Sequence, residues 1–156
     1  MVPRKQREIH KAKRRHSPAS LAFFHIALPE YNQAASDETA ILVGTRKEKA
    51  CAPQLNSGMF ASMKEMGDIL GVFVGHDHDD DYAVFWKGIL LAYGRYTGGD
   101  TVYSNLSNGA RVIEMTEGST NFRTWIDGGM TKHTAFCGSF HQGPFNRLRT
   151  VISPVP

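Results

Sequence analysis

The sequence predicts an α/β fold built on a mixed sheet whose later strands are antiparallel. Two short apolar runs, LAFFHIAL (21–28) and GVFVG (71–75), have the length and composition of buried strands. A segment with helical spacing precedes the second run, and only strand-like runs follow residue 82. An order of helix and strand followed by strands alone indicates an α/β arrangement that becomes all-β toward its end.

The chain begins with a basic segment, residues 1–16, that contains seven Lys or Arg and one Glu. Its composition favours a helix, which SPAS (17–20) would end. The first predicted strand, 21–28, is closed by Pro29, and the connection from there to Asn56 is predicted to be mainly loop. Within it, ILVG (41–44) could form a short strand.

A helix is predicted over SGMFASMKEMGDIL (57–70), because its apolar residues recur at helical spacing and Ser57 is a suitable N-cap. The runs at 82–96, 110–118 and 121–129 are predicted to be successive antiparallel strands. Residues 128–156 are rich in Gly, Pro and Thr without a clear period, so we predict a poorly ordered tail. The organisation is therefore a basic helical arm (1–16), one domain (17–127) and a tail (128–156).

Composition excludes several classes of protein. With 156 residues and 41% hydrophobic content, one domain with a real core is expected. Only two cysteines occur, far apart, so neither a CxxC zinc site nor a disulfide framework is indicated. No run is long enough for a membrane helix, and the N-terminus lacks the apolar core of a signal peptide. The sequence as written thus predicts no membrane partner and a cytoplasmic chain.

Charge is unevenly distributed along the chain. Outside residues 1–16 there remain 11 basic and 14 acidic residues, a net charge of −3. The basic arm lacks the aromatic residues that would stack on bases, and it is better interpreted as a solvated helix than as a nucleic-acid site. We therefore expect no nucleic acid partner.

The segment GVFVGHDHDDDY (71–82) carries the chemistry. An EF-hand loop starting at Asp77 would have Tyr82 in place of the required Gly and Gly88 in place of the required Glu. A local zinc site lacks ligands, because no further Cys or His follows until His133. An acidic turn with incidental histidines remains the alternative.

The position of these histidines favours a site over a turn. Loops at the carboxyl ends of strands are where α/β sheets assemble their ligands, and Gly75 would allow a close backbone approach. His76 and His78 can project toward one crevice and suit two neighbouring metal ions about 3.5–4 Å apart. His25, at the end of the first aromatic strand, could reach the same crevice as a third ligand.

These residues resemble a known family. FFHIALPEY (23–31) and VFVGHDH (72–78) resemble the last two motifs of the calcineurin-like metallophosphoesterases. GTRKEKACAPQLNSGMF (44–60) and the runs at 82–99 and 109–126 resemble the purple acid phosphatase-like phosphohydrolase branch, so the resemblance covers about residues 18–126. It implies a two-sheet αββα sandwich and hydrolysis of phosphate esters through water activated by two divalent metal ions, with Mn, Fe and Zn not distinguished.

The resemblance also implies roles for individual residues. His25 and His76 would ligate one metal ion and His78 the other. Gly75 and Asp77 would support the loop behind these ligands.

Substrate contacts and the remaining acids are assigned less directly. Arg95 and Asn56 are candidates for contacting the phosphate ester, although Arg95 could equally be a salt-bridge partner on the sheet. Asp79, Asp80 and Asp81 are expected to cap the turn and add negative potential around the cations.

The sequence departs from the family pattern in its other motifs. DxH, GDxxD and GNH are absent, because GDILG has Gly71 and GDTVY has Tyr103 where the second Asp belongs. The chain therefore resembles the C-terminal half of a phosphoesterase, and a missing N-terminal half or a homodimer partner is expected to complete it. Relatives of this branch are often exported, which leaves the compartment of the whole protein open.

Two functions follow. The first is a metal-dependent phosphoester hydrolase in which this chain supplies only part of the site. The alternative is a non-catalytic truncated fragment that needs a partner half or binds metal weakly.

Overall fold

The structure, a computed structural model, describes residues 19–98 and 103–128 and the backbone of 135–138 and 151–153. The predicted basic arm, 1–16, lies outside the described residues. Two parts of the predicted tail form strands, and the rest of that tail also lies outside the described residues. No helix within the described residues has the length and apolar character needed to cross a membrane.

The elements follow one another as short strands and two helices. In chain order they are β1 (Ser20–Phe23), α1 (Pro29–Ala35), β2 (Leu42–Val43), α2 (Met59–Met66), β3 (Ile69–Val74), β4 (Ala83–Trp86), β5 (Ile89–Tyr93), β6 (Ala110–Met115), β7 (Phe122–Asp127), β8 (Ala135–Gly138) and β9 (Val151–Ser153).

The described residues form two sheets. The first has the order β1-β3-β5-β4-β2, in which β1, β3 and β5 are parallel while β4 is antiparallel to both β5 and β2. The second has the order β6-β7-β8-β9 and is antiparallel throughout. The predicted mixed sheet of an α/β fold is confirmed at this level. The strands from β6 onward pair only antiparallel, although the antiparallel strand β2 comes early. The αββα sandwich and its C-terminal half stay predictions.

The local signals explain most element boundaries, but four expectations need correction. The run at 82–96, predicted as an antiparallel strand, forms the two strands β4 and β5, joined by a turn in which Lys87 and Gly88 have positive φ, and β5 also pairs in parallel with β3.

Residues 29–35, predicted as loop, form α1, which starts with Pro29 at the first helical position and Glu30 in the first turn. A seven-residue helix is too short to show periodicity. The first strand ends at Phe23, before His25, although the apolar run continues to residue 28.

The predicted helix 57–70 is shorter than expected. It begins after Gly58 and ends at Gly67, both with positive φ, so Ser57 is not its cap. Gly67 ends it with a left-handed C-cap whose N–H donates to the carbonyl of Met63. The last residues of the predicted helix, Ile69 and Leu70, begin β3 instead.

The first sheet is covered on both faces. Alternate residues of β5 separate into two apolar clusters, as expected for a strand. Ile89, Leu91 and Tyr93 pack with residues of α1 and α2, whereas Leu90 and Ala92 pack with Phe122 of the second sheet. This double coverage explains why β3 and β5 read as continuous apolar runs.

Tyr31 ties α1 to the centre of the sheet. Its ring is fully buried, and its hydroxyl donates to the Val72 carbonyl at 2.8 Å and accepts from the Ala92 N–H at 3.2 Å. Burial raises the pKa of Tyr31 well above its usual value, so the hydroxyl stays protonated and keeps donating. One side chain therefore joins the helix to both β3 and β5.

Charged side chains hold the second sheet against the first. The Arg95 guanidinium forms a buried ion pair with Asp81 and donates to the Ser107 carbonyl at 2.7 Å. Arg111 of β6 donates to the carbonyls of Tyr93 and Asp81. Guanidinium groups thus satisfy carbonyls and a carboxylate at the junction of the two sheets.

Replacement of Tyr31 by Phe should destabilise the protein by about 1–3 kcal/mol, because the buried carbonyl and N–H on β3 and β5 would lose their partner. Tyr82→Phe is the matched control. The Tyr82 ring is also fully buried, but its hydroxyl has no hydrogen-bond partner within the described residues. Urea unfolding should show Tyr82→Phe neutral or stabilising, and equal losses in both variants would contradict the assignment.

Replacement of Asp81 by Asn should cost about 3–5 kcal/mol of unfolding free energy, because it leaves the Arg95 charge buried without its partner. The control is Glu114→Gln, which breaks the ion pair with Arg123. That pair is 50% and 49% exposed, so its loss should cost less than about 1 kcal/mol. Guanidinium unfolding curves of the two variants measure the difference, and a cost below 1 kcal/mol for Asp81→Asn would refute a structural role for the buried pair.

Candidate metal centre

Two parallel strands bring two of the predicted ligands together. β1 and β3 are neighbours in register from Leu21 opposite Gly71 to Phe23 opposite Phe73, so their carboxyl ends lie at the same sheet edge. The pairing continues past both strands, since the Gly75 N–H donates to the His25 carbonyl at 3.0 Å. His25 and His76 each follow the end of a strand by two residues. The sequence prediction that both reach one crevice agrees with this placement.

The two imidazoles are in direct contact. His25 Nε2 and His76 Nδ1 lie 3.3 Å apart, and the rings meet edge to face with centroids at 5.1 Å. In a tetrahedral site with metal–nitrogen bonds of about 2.0–2.1 Å, two nitrogen ligands lie about 3.3–3.4 Å apart. The spacing of the pair therefore suits one shared cation as well as a hydrogen bond between the rings.

The backbone of the loop is unusual at His76. Its φ of 73° is in the left-handed region, which a residue with a side chain seldom adopts. A Cβ added to Gly75 would lie 3.6 Å from His25 Nδ1, an ordinary contact. In this loop His76, and not the neighbouring Gly75, has the left-handed conformation. Such conformations cost on the order of 1–3 kcal/mol and concentrate at functional sites.

His78 has a different environment. Its ring stacks on Tyr96 with centroids 4.4 Å apart and faces Tyr103 at 5.3 Å. His78 Nδ1 lies 3.1 Å from the Tyr103 carbonyl, which can only accept, so in the neutral ring the proton is on Nδ1 and the lone pair on Nε2. A hydrogen bond of this kind is what usually orients a metal-binding histidine.

Among the described residues, one group of possible metal ligands is compact. It contains Cys51, His76 and Asp77, whose ligand atoms all lie within 4.8 Å of one another. His25 and His78 are not in this group. The sequence did not identify Cys51 as a candidate ligand, because no second cysteine lies near it in the chain. Its separation of 25 residues from His76 matches no metal-binding motif.

The four aspartates of the run are buried, with exposed fractions between 0% and 7%. Three of them accept backbone N–H groups from the loop that was expected to be an open connection, whereas Asp79 accepts from Asn105. Asp81 accepts from Thr45 at 2.6 Å, and Asp80 from Lys47 at 2.8 Å. Asp77 accepts from Cys51 at 3.2 Å. The carboxylates of Asp77, Asp80 and Asp81 therefore fix residues 45–51 beside the histidines, instead of capping their own turn as expected.

The carboxylates differ in their electrostatics. Hydrogen bonds from the backbone and side chain of Asn105 lower the pKa of Asp79. Burial raises the pKa of Asp80 to about 6, with Glu48 and Asp77 adding to the rise and the N–H groups of Lys47 and Glu48 opposing it. The Asp77 carboxylate also accepts a 2.6 Å hydrogen bond from the Tyr93 hydroxyl.

The two candidate substrate contacts have partners inside the protein. Asn56 Nδ2 donates to Glu30 at 2.8 Å, and its Oδ1 accepts from the Gly58 N–H at 2.8 Å. Arg95 is buried in its ion pair with Asp81. Both side chains thus have structural roles, and their contact with a substrate stays a prediction. The ligand roles of His25, His76 and His78 stay predictions as well.

Asp80→Asn should stabilise the protein near neutral pH. A carboxyl whose pKa is about 6 when folded and near 4 when unfolded contributes stability that is present at low pH and is lost as pH rises through 6. The amide keeps the oxygen that accepts from Lys47 and Glu48 and carries no charge. The variant should therefore exceed wild type in unfolding free energy at about pH 7.5 and approach it at about pH 4. A difference that is constant with pH would contradict the raised pKa.

Comparison with known proteins gives matches to phosphatase-like proteins. The chain is 40% identical over 73 residues to probable inactive purple acid phosphatase 14 of Arabidopsis thaliana, covering 47% of this chain. It is 43% identical over 74 residues to probable inactive purple acid phosphatase 29 of the same plant, again 47% of this chain. It is 34% identical over 119 residues, 68% of this chain, to phosphatase DCR2 of Saccharomyces cerevisiae strain S288c.

The chain spans about a fifth of the length of these relatives, 18%, 18% and 20% respectively. No protein-family model and no solved structure matches it. The sequence motifs and these matches together relate this chain to the purple acid phosphatase-like metallophosphoesterases.

Proposed function

We propose that this chain supplies imidazole ligands to the metal site of a phosphoester hydrolase. The observation that carries the proposal is the contact between His25 and His76 at the shared carboxyl edge of β1 and β3. Their 3.3 Å separation holds two neutral nitrogen donors at the spacing of ligands on one cation. The phosphatase-like relatives make the phosphate ester the expected substrate.

The residues present fit a divalent cation. His25 and His76 offer ring nitrogens, and the Asp77 carboxylate lies within reach of His76. His78 Nε2 keeps a free lone pair because the Tyr103 carbonyl holds Nδ1. Two divalent ions, when bound, supply charge that stabilises a phosphate ester and lower the pKa of an attacking water.

The protein's own part in this chemistry is positioning. The Tyr96 and Tyr103 rings on either side of His78 restrict its rotation, and the left-handed backbone at His76 directs that ring toward His25. Imidazole ligands are neutral, so they hold a cation without cancelling the charge that attracts phosphate. Further carboxylate ligands, from another segment of the protein or from a second copy, would be needed to bridge two ions.

A non-catalytic role in metal binding is the second candidate. The observation in its favour is that the Arabidopsis relatives are named as probable inactive phosphatases. The described residues would then retain the histidine site without turnover.

Metal binding should depend on the histidine pair. Calorimetric titration of the apo chain with Mn²⁺ or Zn²⁺ should show His25→Ala and His76→Ala weakening one binding event by at least about 10–100-fold, the loss seen even for residues that only support ligands. His78→Ala should weaken a different event, since its ring lies in a separate aromatic setting. Binding unchanged in all three variants would contradict the proposal.

Hydrolysis of an aryl phosphate with the same metals separates the two functions. Turnover that is lost in His25→Ala and His76→Ala but kept in His10→Ala, a histidine of the basic arm, supports the hydrolase. Histidine-dependent metal binding without turnover in a folded sample supports the non-catalytic candidate.

A further inference from the structure

We propose that Cys51 Sγ, a His76 ring nitrogen and an Asp77 carboxylate oxygen bind one cation, which makes this a sulfur, nitrogen and oxygen site suited to Zn²⁺. The inference rests on the proposed function only in that both use His76. Cys51 lies in the loop between β2 and α2, 25 residues before His76 in the sequence, and the folded chain brings the two side chains together.

The geometry requires little adjustment. The ligand atoms of Cys51 and His76 lie within 4.8 Å of each other. Bonds of about 2.3 Å to sulfur and 2.0–2.1 Å to nitrogen would bring these atoms to about 3.6 Å in a tetrahedral site, so a shift of about 1 Å closes it. Cys51 is exposed and His76 is half-buried, so a cation can reach both side chains from solvent.

The loop holds Cys51 from both sides. Its own N–H donates to both oxygens of the Asp77 carboxylate at 3.2 Å. The preceding residue, Ala50, is buried, and its carbonyl accepts from Asn32 Nδ2 of α1 at 2.8 Å. Tyr93 in turn fixes Asp77 through a 2.6 Å hydrogen bond. The thiol is therefore anchored beside His76 through backbone bonds that leave its sulfur free.

The donor set indicates which cation would bind. One imidazole, one thiolate and one carboxylate match the mixed nitrogen, sulfur and oxygen donors of zinc sites. A thiolate favours Zn²⁺ or Co²⁺ over Mn²⁺ or Mg²⁺, which prefer oxygen.

Cobalt provides a spectroscopic test in the full chain. Addition of Co²⁺ to the wild type should give sulfur-to-cobalt charge-transfer absorption in the near ultraviolet, and Zn²⁺ should displace it. Cys51→Ser should remove this band and weaken Co²⁺ binding by at least about 10-fold, while leaving visible bands from histidine-bound cobalt. Cys137→Ser, the matched control at the other cysteine, should keep the band.

Alkylation provides a second readout on the native chain. Zn²⁺ should slow the reaction of Cys51 with iodoacetamide, measured by peptide mass spectrometry, in wild type and not in His76→Ala. A bound Co²⁺ without charge-transfer absorption, or a band unchanged in Cys51→Ser, would overturn the inference. In the first case, binding that still depends on His76 leaves the proposed function standing.

The remaining outcomes separate the two proposals. A band lost in Cys51→Ser together with no aryl phosphate hydrolysis supports sulfur ligation and argues against the hydrolase. Absence of any metal binding in a folded sample overturns both.

Discussion

The structure depends on burying four carboxylates within five residues. A buried carboxylate is costly unless it accepts hydrogen bonds, and Asp77, Asp79, Asp80 and Asp81 find their donors in distant segments. The loop at 44–51 must therefore return to the end of β3. There the backbones of Arg46 and Asp80 also pair as an isolated antiparallel β-bridge. This constraint fixes where residues 45–51 lie relative to the histidines.

Close packing of the loop is visible at Gly44. Its φ of 109° is open mainly to glycine, and a Cβ there would meet the Tyr82 backbone at 2.9 Å. The loop thus passes directly over the aspartate run, and Asp81 both accepts from the Thr45 N–H and donates its own N–H to the Thr45 carbonyl. The same carboxylate pairs with Arg95, so one residue joins the loop, the first sheet and the approach to the second sheet.

This arrangement separates two tasks within one short segment. His76 and His78 are half-buried, and their ring nitrogens lie near His25 and the Tyr103 carbonyl. The four aspartates of the same segment are buried. An acidic run next to a metal site is easily interpreted as a set of cation ligands. Here most of its carboxylates are used to hold backbone, and Asp77 alone lies in the compact group of donor atoms found among the described residues.

The sequence by itself determined the features that depend on local pattern. An apolar run identified β3, and the placement of His25 and His76 just after strands predicted that they would meet, because parallel strands share an edge. Tertiary structure decided the rest. Three features depend on contacts between residues 18 to 36 positions apart: the burial of the aspartates, the stacking of His78 on Tyr96 and the approach of Cys51 to His76. The periodicity of a sequence does not predict contacts at such separations. Helix α1 escaped prediction for a related reason: its seven residues are held by the contacts of Tyr31 with β3 and β5, which only the folded chain provides.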